Sequence, residues 1–113
     1  MQQLGLSYET LNNLTSINVF DEVIARGVYL FVKIDAVWCE PCRSLEPVIR
    51  QLSTEYTDIL FIKINFDTFK AIARQYAVKS IPTVLLFNDN SLVHRATGNQ
   101  PKSYWVSLIK SSF

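Results

Sequence analysis

The chain has 113 residues, 49% of them hydrophobic and 19% charged, with a formal net charge of +1. That length suits one domain able to bury roughly two thirds of its unfolded surface without staples or metal, and the composition excludes a disordered chain. The charge balance offers no footprint for nucleic acid. Apolar runs such as Val28 to Val32 fall far short of the ~18 residues of a membrane span, so no membrane partner is expected either.

In chain order, residues 1–13 are weakly specified, with at most a short helix from Ser7, and read as an N-terminal extension to a domain over 14–113. Met1 to Leu14 is too polar for a signal peptide, so a cytoplasmic location is expected. Leu14 to Ile17 suits a short strand. Asn18 suits a helix cap, with Phe20, Val23 and Ile24 as the helix's apolar face and Gly27 as its stop. Val28 to Ile34 is rich in β-branched and aromatic residues without alternation, as in a strand buried on both faces.

From Cys39 to about Tyr56 the pattern turns helical, with Leu45, Ile49, Leu52 and Tyr56 on one stripe and Pro47 inside it. The charges of Glu46, Arg50 and Glu55 read as its solvated face. Ile59 to Phe66 is a second buried strand, and Phe69, Ile72, Ala73 and Tyr76 mark another helix. Thr83 to Phe87 is a core strand, separated by Asn88, Asp89 and Asn90 from a hairpin partner over Ser91 to Ala96. Pro101 opens a last helix carrying Tyr104, Trp105, Leu108 and Ile109. Trp105 reads as core and His94 as a surface residue. Alternating strands and helices make this an α/β domain.

The two cysteines are the chemical signal. Cys39 and Cys42 are three residues apart, too few and too close for a disulfide scaffold. A zinc site needs four ligands, and His94 is the one further soft ligand in the chain. Ala36-Val37-Trp38-Cys39-Glu40-Pro41-Cys42 runs from a core strand into a helix. That places the Cys39 sulfur near unpaired N–H groups and the positive end of the helix dipole, which favour thiolate over thiol. Cys42 lies one turn on, within disulfide reach, and Pro41 stiffens the loop. The pattern supports a redox-active dithiol.

These residues resemble the thioredoxin family. Trp38 to Cys42 matches its Trp-Cys-x-Pro-Cys motif and Pro47 its active-site helix. Lys63-Ile64-Asn65-Phe66-Asp67 is similar to its third-strand segment, Ile81-Pro82-Thr83 to its cis-proline loop, and Gly98 to the glycine after its last strand. The likeness runs over about residues 14–112. It implies a thioredoxin fold: a central mixed five-stranded sheet flanked by four helices, with a cis bond before Pro82. It implies that Cys39 attacks a substrate disulfide and that Cys42 then resolves the mixed disulfide. Trp38, Glu40, Pro41, Ile81, Pro82 and Gly98 line the implied groove for an extended segment of the substrate. The implied partners are disulfide-containing proteins and, as electron donor, thioredoxin reductase. No bound cofactor or metal is called for, and a monomer is expected.

Two positions depart from the family. Glu40 stands where glycine is usual, and an acid beside Cys39 disfavours its thiolate, although water screens it and the helix dipole suits it. Lys33 stands where a buried aspartate usually moves the proton of the second cysteine. Asp35, two residues on, shares Lys33's strand face and is nearer the cysteines. Asp35 therefore either takes over the proton role while Lys33 pairs with it or with another acid, or merely caps the loop while Lys33 snorkels to solvent. Two alternatives to a reductase stay open: an oxidant or isomerase of the same fold, and an interaction module with idle cysteines. Glutaredoxin fits less well, since its tyrosine between the cysteines and its Thr-Val-Pro segment are missing.

Overall fold

The computed structural model describes residues 24, 25 and 27–113. The elements are β1 (Tyr29–Asp35), α1 (Glu40–Glu55), β2 (Ile59–Asn65), α2 (Lys70–Gln75), β3 (Thr83–Asn88), β4 (Ser91–Thr97) and α3 (Lys102–Ser112). Four strands and three helices are thus present among the described residues, against the expected five and four. The difference lies in the strand expected over Leu14 to Ile17 and the helix capped by Asn18, which fall outside the described residues with Phe20, Val23 and the short helix from Ser7.

The sheet has the order β2-β1-β3-β4. β1 and β2 run parallel, Phe31 opposite Phe61, Lys33 opposite Lys63 and Asp35 opposite Asn65. β3 runs antiparallel to β1, and β4 antiparallel to β3. The turn between the last two strands is Asp89-Asn90, with φ of 51° and 73°. A two-residue hairpin loop requires positive φ there, and these residue types tolerate it.

Alternation along β1 separates two cores. Leu30, Val32 and Ile34 pack with Ile62, Ile64, Leu85 and Phe87 under Ile72 and Ala73 of α2. Phe31 points the other way and packs with Phe61, Val84 and Leu86 under Leu45, Ile49 and Leu52 of α1 and Trp105 and Ile109 of α3. The Phe31 ring stacks on Phe61 at 4.7 Å and meets the edge of Trp105 at 5.9 Å. Trp105 is fully buried, its indole N–H donating to the Gln100 carbonyl at 3.0 Å. Burial of each such side chain contributes roughly 1.5–3 kcal/mol. By the same period of two, Lys33 and Asp35 follow Phe31 onto the α1 side, beneath the first turns of that helix.

Candidate functional site

β1 delivers the chain to the site. After Asp35 the backbone turns, Cys39 N–H bonding to the Ala36 carbonyl at 3.1 Å, and α1 begins with Cys39 as its N-cap. The Cys39 Sγ accepts a hydrogen bond from the Cys42 N–H at 3.2 Å. A sulfur at a helix start that receives a backbone donor is the one whose negative charge the helix stabilises, which distinguishes Cys39 from its partner. Pro41 occupies the first turn, where its missing N–H costs no hydrogen bond. Cys39 and Cys42 form a disulfide with their Cα atoms 5.2 Å apart. Both sulfurs are nearly enclosed, Cys42 more so, at 4% and 1% exposure, packed with Ala36, Phe66 and Ile81.

The residues expected around the pair gather on its outer side. Trp38 is 64% exposed, yet its indole N–H donates to Asp67 Oδ2 at 2.7 Å, so the ring is held rather than loose. Ile81 packs against the cysteines, and the Ile81-Pro82 bond is cis. Pro82 is buried, and its carbonyl accepts from the Gly98 N–H at 3.0 Å, which joins the two loops expected to share the groove. Gly98 has a φ of +88°, in the region that favours glycine. Pro41 and Glu40 are exposed at the helix start. Glu40 forms an ion pair with Arg43, which also donates to the Val37 carbonyl at 2.5 Å. His94 is exposed on β4.

The inner side of the pair is charged. Lys33 is completely buried. Its Nζ donates to the Cys42 carbonyl at 2.9 Å and lies 3.0 Å from Asp35 Oδ2 and 3.2 Å from Glu46 Oε2. Lys63 Nζ approaches the other oxygen of the same carboxylate, Glu46 Oε1, at 3.0 Å. The register explains the meeting: Lys33 and Lys63 are neighbours on parallel strands, and Glu46 lies one turn after Cys42 on the helix above them. A cavity of about 420 Å³ opens beside this cluster, lined among others by Asp35, Cys42, Glu46, Lys63 and Asn65. Of the two alternatives for Lys33, pairing with an acid holds and snorkelling to solvent does not, because it is buried among two carboxylates and a carbonyl. One sequence expectation is corrected. Glu46 does not belong to the solvated face, because it turns inward onto both lysines. The missed signal was its spacing of four from Cys42, which puts both on one face of the helix.

A family model described as Thioredoxin matches residues 11–111. The chain belongs to the thioredoxin family. A thioredoxin from Chlamydia caviae is 41% identical over 90 residues, covering 80% of this chain and 87% of the relative. One from Pyropia yezoensis is 34% identical over 101 residues, covering 88% and 94%. Among solved structures, oxidised mitochondrial thioredoxin 3 of Saccharomyces cerevisiae superposes with a TM-score of 0.84 at 28% identity, over 94% of this chain and 99% of that one.

Family and geometry agree on the chemistry: the protein is a thiol–disulfide oxidoreductase with a Cys-x-x-Cys pair. Its thioredoxin fold supplies a helix start for one sulfur and a buried position for the other. Among the described residues no helix is long and apolar enough to cross a membrane. No group of three His, Cys, Asp or Glu among them is placed to hold a metal ion.

Proposed function

We propose that this thioredoxin reduces protein disulfides in the cytoplasm, with Cys39 as nucleophile, Cys42 as resolving thiol and Asp35 as acceptor of the Cys42 proton. The observation that carries the reading is the Cys42 N–H bond to Cys39 Sγ, which favours thiolate on the sulfur nearer the surface. The Cys39 thiolate attacks one sulfur of the substrate, breaking its S–S bond and forming a mixed disulfide, and the other substrate sulfur leaves as a thiolate. Cys42 gives up its proton and attacks Cys39. The Cys39–Cys42 bond forms, the bond from Cys39 to substrate breaks, and two electrons have passed to the substrate.

Trp38, Glu40, Pro41, Ile81, Pro82 and Gly98 form the docking groove in this reading. The exposed indole, the Ile81 contact with the cysteines and the tie between Pro82 and Gly98 support it. Recognition of an extended segment through backbone accommodates many substrates. Oxidised protein returns to the dithiol through thioredoxin reductase, the donor that the family uses.

The oxidant or isomerase reading rests on Glu40 and Lys33, since residues beside the dithiol tune its potential. Equilibration with a glutathione series, read by thiol trapping, separates the two. A potential near the thioredoxin reference of about −270 mV supports the reductase, and one above about −180 mV makes the protein an oxidant or isomerase. Cys42→Ser is expected to stop turnover and leave the mixed disulfide on Cys39. Turnover that persists in the variant carrying Ser at both positions discards the dithiol mechanism.

A further inference from the structure

The geometry points to a proton acceptor for Cys42 that is shared between two carboxylates, Asp35 and Glu46, held together by the buried ammonium of Lys33. This rests on the reading of Asp35 given above and adds Glu46 to it. Both carboxylates and Cys42 line one cavity. Lys33 Nζ is 3.0 Å from Asp35 Oδ2 and 3.2 Å from Glu46 Oε2, so the two acids are brought to one cation. The same Nζ grips the Cys42 carbonyl at 2.9 Å, which fixes that cation, and the acids with it, to the residue whose thiol must be deprotonated.

Glu46 is placed by the helix that carries Cys42, and Asp35 by the strand that leads to Cys39, so the acids reach the cavity from separate elements. Both retain contact with water, at 13% and 19% exposure, which gives a transferred proton a way out. The cavity, at about 420 Å³, has room for several water molecules at roughly 30 Å³ each, enough to relay a proton where a carboxylate does not touch the sulfur. The step balances simply: the Cys42 S–H proton passes to a carboxylate, the thiolate forms the bond to Cys39, and the departing substrate thiolate takes up a proton from water. Because either acid serves, loss of one leaves the other in place.

The test is a two-phase reaction of reduced protein with an aromatic disulfide that releases a coloured nitrothiophenolate. One equivalent appears when Cys39 attacks and a second when Cys42 resolves, so the ratio of the two rates isolates the second step. Asp35→Asn and Glu46→Gln are each expected to slow the second phase only about threefold, and the double variant ~100-fold, the usual worth of a general base. Added formate, small enough for the cavity, is expected to restore the second phase of the double variant, a response that a structural role does not produce. A double variant no slower than the slower single variant overturns the shared acceptor, as does one that formate leaves unchanged. If Asp35→Asn accounts for the whole loss and Glu46→Gln for none, Glu46 is an ion-pair partner only and Asp35 stands as sole acceptor. If the double variant resolves at the wild-type rate, the role of Asp35 falls as well.

Discussion

The two sides of the Cys39–Cys42 pair are built differently. The outer side is an assembly of loops: Trp38 pinned by Asp67, Ile81 against the sulfurs, and Gly98 bonded to the Pro82 carbonyl. Apart from Glu40 its residue types are those of the thioredoxin family, and much of its geometry is backbone. The inner side is an assembly of charges on β1, β2 and α1, held by ion pairs and by the Lys33 bond to the Cys42 carbonyl, and there the chain departs from the family at Lys33. A surface made of backbone constrains the residues beneath it loosely. A buried charge constrains its surroundings tightly, because each ion left without a partner is costly. Replacing the usual buried acid with lysine is therefore compatible with the fold only because Asp35 and Glu46 converge on it.

Removing the inner cation is expected to have the largest effect. Lys33→Ala leaves Asp35 without its ion pair and Glu46 with Lys63, and is expected to lower stability by about 3 kcal/mol. Urea denaturation of the oxidised protein measures it; a midpoint equal to the wild type's means that the buried ion pairs contribute nothing net.

On the outer side the expected effects are smaller. Asp67→Ala frees the Trp38 indole at a cost of about 1 kcal/mol, and changes Trp38 emission while leaving Trp105 buried. It is also expected to slow reduction of a protein disulfide more than that of a small aromatic one, and equal slowing of both argues against a docking role for Trp38. Gly98→Ala probes backbone conformation alone, since the nearest atom to an added Cβ is Gln100 Nε2 at 3.7 Å. The positive φ is then the whole penalty, about 1 kcal/mol by thermal unfolding, and a larger loss indicates that the Pro82 tie has broken as well.

Glu40→Gln completes the series with the smallest change. Its ion pair with Arg43 is exposed on both sides and is worth under about 0.5 kcal/mol, screened further by salt. The variant is expected to leave stability unchanged and to shift only the relative rates of acidic and basic substrates. A measurable loss of stability in low salt shows that Arg43, which also holds the Val37 carbonyl, ties down the loop before Cys39.

Most elements were legible because their signals are local. The buried runs of β1, β2 and β3, the α1 stripe of Leu45, Ile49 and Leu52, and the turn at Asp89-Asn90 all depend on neighbours within a few residues. The cysteine pair was legible for the same reason, its spacing being one helical turn. Glu46 was misread because its surroundings come from residues 13 and 17 positions away in sequence. A glutamate four residues before an exposed arginine looks solvated until the register of the strands beneath it is known. The ion pair of Glu55 with Lys102, at a separation of 47, is illegible in the same way, and being exposed it matters less.

Local pattern alone was enough for the order of strands and helices among the described residues, for the position of the dithiol at a helix start, and for the two places where this chain leaves its family. It also put Lys33 and Asp35 on one face, because the strand period is two. What that face meets depends on how the chain folds. Parallel pairing sets Lys63 beside Lys33, and packing of α1 over both strands lowers Glu46 between them. Ion pairs act over a few ångströms without regard to sequence separation, so the charges beneath Cys42 could be placed only once the chain was folded.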